Sequence, residues 1–181
     1  MRFERVRRNG RWQRNVVTLA VAAAFGTELA HAAPTAPVVV NGQVGFAQQG
    51  KTLAITNTPG AIINWRSFSI AKDETTRFIQ QSAASTVLNR VVGVDPSQIL
   101  GALQSNGRVF LINPNGIVFG AGAQIDVGGL VASSLNLSNQ DFQAGRLRFT
   151  DTPGAGKVVN QGGKSKVGGI GRCRAIVHAL G

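Results

Sequence analysis

The stretch from Val109 to Gly120 limits the possible folds more than any other part of the chain: Val-Phe-Leu-Ile, then Asn113-Pro114-Asn115-Gly116, then Ile-Val-Phe-Gly. Proline at the second turn position presets φ, Asn113 can bond its own backbone, and Gly116 accepts a positive φ at little cost, so the chain reverses sharply here. The flanking runs are β-branched and aromatic and too short for an amphipathic helix. They predict short strands on a pleated, half-buried surface, with the turn structural first.

The ends differ from the middle. Met1–Ala32 carries Arg2, Arg5, Arg7, Arg8, Arg11 and Arg14, then an apolar segment from Val16 to Phe25, then Ala30-His31-Ala32 before a plausible cut at Ala33. That layout predicts a secretory signal peptide over residues 1–32, because the apolar segment falls short of the about 20 residues that span a bilayer. Formal charge is +11, but it collects in the leader and in the tail, where Lys157, Lys164, Lys166, Arg172 and Arg174 face no acid. The central region is nearly neutral, which argues against a nucleic-acid partner. Cys173 is the single cysteine, so no disulfide can form within the chain. Residues 33–161 are long enough for one domain with a continuous core.

Strand-like runs separated by turn signals cover Val44–Ala47, Thr52–Thr56, Ala61–Ile70, Thr75–Ile79, Thr86–Val92, Arg108–Ile112, Ile117–Phe119, Ala123–Val127, Leu130–Leu137 and Arg146–Thr150. One segment, Pro96–Leu103, predicts a turn of helix, since Ile99, Leu100 and Leu103 share a helical face and Pro96 suits its start. Short strands with Gly and Asn turns allow a sandwich, a barrel or a solenoid. Asn57, Asn64, Asn89, Asn106, Asn113, Asn115, Asn136 and Asn160 lie at or near strand ends. Such placement would let neighbouring coils stack like side chains in ladders. Beyond Gly162 the chain is basic and glycine-rich, and residues 162–181 are expected to be disordered or aberrant.

Catalytic chemistry lacks its commonest parts. Residues 33–161 contain no His, Cys or Tyr, which leaves neither a zinc site nor a Ser-His pair, disfavours haem ligation, and predicts no cofactor, no metal and no enzyme activity. Paired carboxylates remain conceivable for a polysaccharide-active β-helix; Asp73 and Glu74 are adjacent, and Asp126 and Asp141 could approach in space. Solvated acids at strand ends are the plainer reading. Trp65 and Phe68 could form a ligand platform, but core packing is the expected role.

Five segments occur in order: Asn64-Trp65-Arg66-Ser67-Phe68-Ser69-Ile70, Val87-Leu88-Asn89-Arg90-Val91-Val92-Gly93, Pro96 to Gly101, Val109 to Gly120, and Gly128 to Ser134. As a set they resemble the amino-terminal secretion domain of two-partner-secretion exoproteins, the haemagglutination-activity domain of filamentous haemagglutinin-like adhesins. The resemblance covers about Val38 to Gln161. It implies an all-β, right-handed parallel β-helix with an amino-terminal cap. It implies a partner, an outer-membrane β-barrel transporter with periplasmic domains, and release to the medium or cell surface through the periplasm. Host-cell receptors or glycans are further partners it allows, with a surface carbohydrate-binding protein as the alternative to an export module. By the same resemblance Asn113, Pro114, Asn115 and Gly116 form the secretion motif, and Asn64, Trp65, Ser67, Phe68, Asn89 and Arg90 are family-motif residues. Family members continue with further coils after a segment like Gly156–Gln161. Here the basic tail follows, so the expectation is a truncated or frame-shifted product, or a fragment, whose exposed last coil associates with other chains.

Overall fold

The computed structural model describes residues 33–167 and 176–178; the expected signal peptide and most of the tail lie outside them. The chain begins with β1 (Val38–Asn41), β2 (Val44–Gln49), β3 (Thr52–Asn57) and β4 (Ala61–Trp65). Then come β5 (Thr75–Gln80), β6 (Thr86–Val91), β7 (Ser97–Ile99), β8 (Ala102–Ile112) and β9 (Ile117–Phe119). They are followed by β10 (Gln124–Ser133), β11 (Asn136–Leu137), the short helix α1 (Asn139–Gln143) and β12 (Phe149–Thr150). The last are β13 (Val158–Asn160), β14 (Lys164–Val167) and β15 (Ile176–His178).

These strands wind as a right-handed parallel β-helix of about four turns. The first face stacks β3, β5, the start of β8, the start of β10, and β14. The second stacks β4, β6, the end of β8, the end of β10, and β15. The third stacks β7, β9 and β13. Strands β8 and β10 pass from first face to second without a loop. The bend falls at Gly107 and Gly128, where a Cβ on Gly128 would lie 2.9 Å from the Gly107 carbonyl oxygen and one on Gly107 2.7 Å from the Gln80 side chain. Only a residue without a side chain lets successive coils turn that corner in contact.

Alternation along each strand decides what faces inward. Ile55, Ile63, Phe78, Val87, Leu103, Val109, Leu111 and Ile125 fill the coil interior. Burying such side chains is the main favourable term for a chain without disulfides. Residues 35–49 run back across the first coil as a cap: β1 is antiparallel to β4, β2 is antiparallel to β3, and Thr35 bridges Ser67. A capping segment of this kind is what a coil stack needs at its first edge.

Beyond Gly162 the described strands β14 and β15 add to β10 in parallel. Three expectations need correction. No helix forms over Pro96–Leu103: Ser97 and Ile99 point inward from β7 while Gln98 between them is exposed, a two-residue period that the shared helical face of Ile99 and Leu103 hid. The asparagines do not form ladders of like side chains; Asn64 is in register with Arg90, and Asn89 with Leu111. Finally, the run before the Asn-Pro-Asn-Gly turn is not half-buried, whereas Ile117–Phe119 after it keeps a buried–intermediate–buried alternation. Val109, Phe110, Leu111 and Ile112 are all buried, because a second layer covers the outside of the second face.

Candidate functional site at the Asn-Pro-Asn-Gly corner

Asn113-Pro114-Asn115-Gly116 makes the corner between the second and third faces. Gly116 N–H closes the turn on the Asn113 carbonyl at 3.0 Å, and Gly116 sits at φ +106°, with Lys157 O only 2.9 Å from where a Cβ would stand. The Asn113 side chain is fully buried. It donates to Asp95 O (3.0 Å) and Ser97 Oγ (2.9 Å), and it accepts from the Asn115 backbone N–H (2.9 Å) and Asn115 Nδ2 (3.1 Å). Asn115 donates on to Gly93 O in the coil below at 2.8 Å, while Gly156 N–H donates to Pro114 O from above at 2.7 Å. The corner is thus riveted to the coils on both sides, and the polar capacity of Asn113 is spent internally, as burial requires.

The other motif residues divide by face. Trp65 and Phe68 are buried in the coil interior, where Phe46, Trp65, Phe68 and Phe78 form a chain of ring contacts from the cap inward. Their expected role in packing therefore holds. Trp65 Nε1 donates to Asn89 Oδ1 at 3.0 Å and Asn89 Nδ2 to Phe110 O at 3.3 Å, so a fully buried amide ties three coils together. Ser67 stands at the cap, sharing a 2.6 Å hydroxyl contact with Thr35.

Asn64 and Arg90 point outward from the second face. Arg90 reaches Asn64 Oδ1 (3.4 Å), Asn139 Oδ1 (2.8 Å) and the Leu137 carbonyl. Burial pulls its guanidinium below its ordinary pKa. All three acceptors are neutral, so Arg90 acts as a multi-pronged donor that fastens the excursion from β11 to β12. Under that excursion, Ile62, Leu88, Phe110, Ile112 and Val131 form an apolar layer closed by Leu137, Phe142 and Phe149. Phe110 and Phe142 meet edge to face, 5.2 Å between centroids. Ser138 caps α1 by accepting from Asp141 N–H at 3.0 Å, and Arg146 Nε donates to Asp141 Oδ1 at 2.7 Å. The Arg146 and Ser138 hydrogen bonds hold the Asp141 carboxyl below its ordinary range.

The acids do not converge. Glu74 is buried, with Oε2 accepting from Ala71 N–H at 3.1 Å, and Asp73 lies 3.6 Å from Lys51 at the surface. Asp126 lines a shallow groove on the first face with Arg77 and Gln104, whereas Asp141 belongs to the layer over the second face. Among the described residues there is no group of three His, Cys, Asp or Glu side chains placed to hold a metal. Sequence reading missed the amide rivets from Asn115 to Gly93 and from Asn89 to Trp65. It also missed the β11–α1–β12 layer, whose signal was the uninterrupted apolar run Val109–Ile112, a pattern of strands buried on both sides.

Comparison with known proteins gives a consistent picture. Residues 30–179 match the TPS secretion domain family. A heme/hemopexin-binding protein of Haemophilus influenzae is 35% identical over 154 residues, which is 82% of this chain and 17% of that protein. A second Haemophilus influenzae protein of the same name is 36% identical over 102 residues, 56% of this chain and 11% of the relative. Among solved structures, the HMW1 secretion domain from Haemophilus influenzae superposes with a TM-score of 0.69 at 39% identity, covering 72% of this chain and 35% of that one.

Proposed function

Since the chain belongs to the TPS secretion domain family, the amino-terminal module of two-partner-secretion exoproteins, we propose that residues 33–161 are a non-catalytic export address read by an outer-membrane β-barrel transporter. The observation that supports this most is the inward turn of the motif residues. Asn113, Trp65, Phe68 and Asn89 are all buried, so in the folded coil they offer a partner almost nothing. On this reading Asn113, Pro114, Asn115 and Gly116 serve secretion by closing a corner of the coil, and Asn64, Ser67 and Arg90 by fastening the cap and the outer layer.

Recognition then falls on the chain before it folds. An extended segment can add to a sheet in the transporter's periplasmic domains through main-chain hydrogen bonds, with alternate side chains giving selectivity. Coils that form outside the cell bury Ile55, Phe78 and Leu111 and disfavour return, so folding supplies direction where no nucleotide is available. The chain spans 17% of a curated relative named for binding heme and hemopexin. Residues 33–161 lack His, Cys and Tyr, the usual haem ligands besides Met, so haem ligation is not part of the proposal for them. Contacts with host receptors or glycans are part of the proposal for the exposed first face.

The test is capture of the chain by the periplasmic part of a transporter encoded beside it. Chain diluted from urea onto that part should be retained, and chain folded beforehand should not. Equal retention of the two would overturn recognition of the chain before it folds, and retention of neither would remove transporter recognition from the account.

A further inference from the structure

We propose that the Asn-Gly steps of this coil are deamidation sites that folding protects, and that reaction at them in the unfolded chain blocks folding. Residues 33–167 hold three such steps, Asn41-Gly42, Asn106-Gly107 and Asn115-Gly116. The coil demands both members of the latter two. Asn106 Nδ2 donates to Gln80 O at 2.7 Å while its Oδ1 accepts from Gln80 N–H at 2.8 Å, and Asn115 Nδ2 donates to Gly93 O at 2.8 Å. Each amide clamps one coil to the coil before it, and Asn41 likewise donates to Gly60 O at 2.9 Å. The following glycine is forced as well: a Cβ on Gly107 would lie 2.8 Å from Ser85 O, and Gly116 holds φ +106°.

That pair is labile wherever the backbone is free. The glycine nitrogen, having lost its proton, attacks Cγ of the asparagine; the N–Cγ bond forms, the Cγ–Nδ2 bond breaks, and ammonia leaves with the proton. Water then opens the five-membered imide at either carbonyl, leaving aspartate or the β-linked isoaspartate. No other reactant is needed. The coil obstructs the attack at Asn106 and Asn115. Gly116 N–H is committed to Asn113 O and Gly107 N–H to Ser105 Oγ, both at 3.0 Å, and the carboxamides are pinned on neighbouring carbonyls.

The product fits poorly. A carboxylate at position 115 would face Gly93 O and Asn113 Oδ1, 2.8 and 3.1 Å from the present nitrogen, with acceptors opposed to acceptors. An isoaspartate would also lengthen the backbone inside the turn and shift the register. Time spent unfolded therefore carries a chemical limit set by the same residues that build the corners.

The experiment holds the full chain at one mildly alkaline pH, in urea and in native buffer, and maps Asn, Asp and isoaspartate by peptide mass spectrometry. In urea, Asn41, Asn106 and Asn115 should convert ahead of Asn57, Asn89 and Asn136, which no glycine follows. In native buffer Asn106 and Asn115 should react at least about tenfold more slowly, as sites that react only through local opening do. Equal rates in the two buffers would overturn the protection. The aged urea sample is then returned to native buffer and its folded and unfolded fractions separated. Asp and isoaspartate at 106 and 115 should concentrate in the unfolded fraction, and an even distribution would overturn the consequence for folding. The Asn115→Asp variant isolates the charge: it should be less stable than the parent, and equal stability would overturn the carboxylate argument.

Discussion

The first and second faces of the coil share one architecture and are treated oppositely on their outer sides. On the first, the outward row Ala54, Arg77, Gln104 and Asp126 meets solvent, and exposed or half-buried residues alternate with buried ones along β5. On the second, the outward row Ile62, Leu88, Phe110 and Val131 is roofed by the layer running from β11 to β12. The difference teaches that the second face is the structural centre of the module. Its strands carry apolar side chains on both sides, and it shares a border with the Asn113 corner. Among the described residues the first face has no such layer, and its outward side chains stay open to solvent.

Substitutions can break or sharpen this contrast. The largest effect should come from Phe110→Ala, which opens a cavity under the roof and removes the ring contact with Phe142; urea unfolding should show a loss of about 3–4 kcal/mol. Phe142→Ala removes the same contact from the roof side, where the short α1 can partly collapse, and should cost about 2–3 kcal/mol. A loss below that of a first-face surface variant would show that the roof is not packed. Arg90→Met keeps the stem but abandons Leu137 O and the Asn139 amide, and should cost about 1–2 kcal/mol. Amide exchange should localise that change to residues 136–150. On the exposed side, Gln104→Ala loses one surface bond to Arg77, 2.8 Å long, and should stay within about 0.5 kcal/mol.

Acid gives the smallest and most local effect. Asp141 titrates below its ordinary carboxylate pKa in the folded chain, so its bonds to Ser138 and Arg146 contribute fully above the unfolded value. They are lost as pH falls through the depressed folded value. NMR of the Asp141 side chain should place its midpoint lower in the folded chain than in the urea-unfolded chain. A midpoint at or above the unfolded one would show that the roof does not hold the α1 cap closed.

Much of the fold was legible because the turn chemistry is local. Asn113-Pro114-Asn115-Gly116 marks a turn whatever lies around it, though the coil uses it as a corner rather than a reversal, and β3, β5 and β9 fall within a residue or so of their expected bounds. The coil itself became legible through the ordered set of motifs. Partners far along the chain were not legible. Arg90 meets Leu137 and Asn139, 47 and 49 residues on, and nothing in an isolated strand announces a roof. Likewise the row Ile99, Leu100 and Leu103 satisfies a helical period by coincidence, and the parallel partners Ile117–Phe119 decided for strand. Asn113 was singled out from sequence for its own turn, yet its buried bonds to Asp95 and Ser97 came only with the coil.

The central claim is that this coil is an address for passage through an outer membrane. It is tested most directly by producing the chain, residues 1–32 included, in Gram-negative cells with and without a two-partner-secretion transporter and measuring folded protein in the medium. The account predicts folded protein outside only when the transporter is present, with the chain held in the periplasm otherwise. Equal amounts outside in both strains would contradict it.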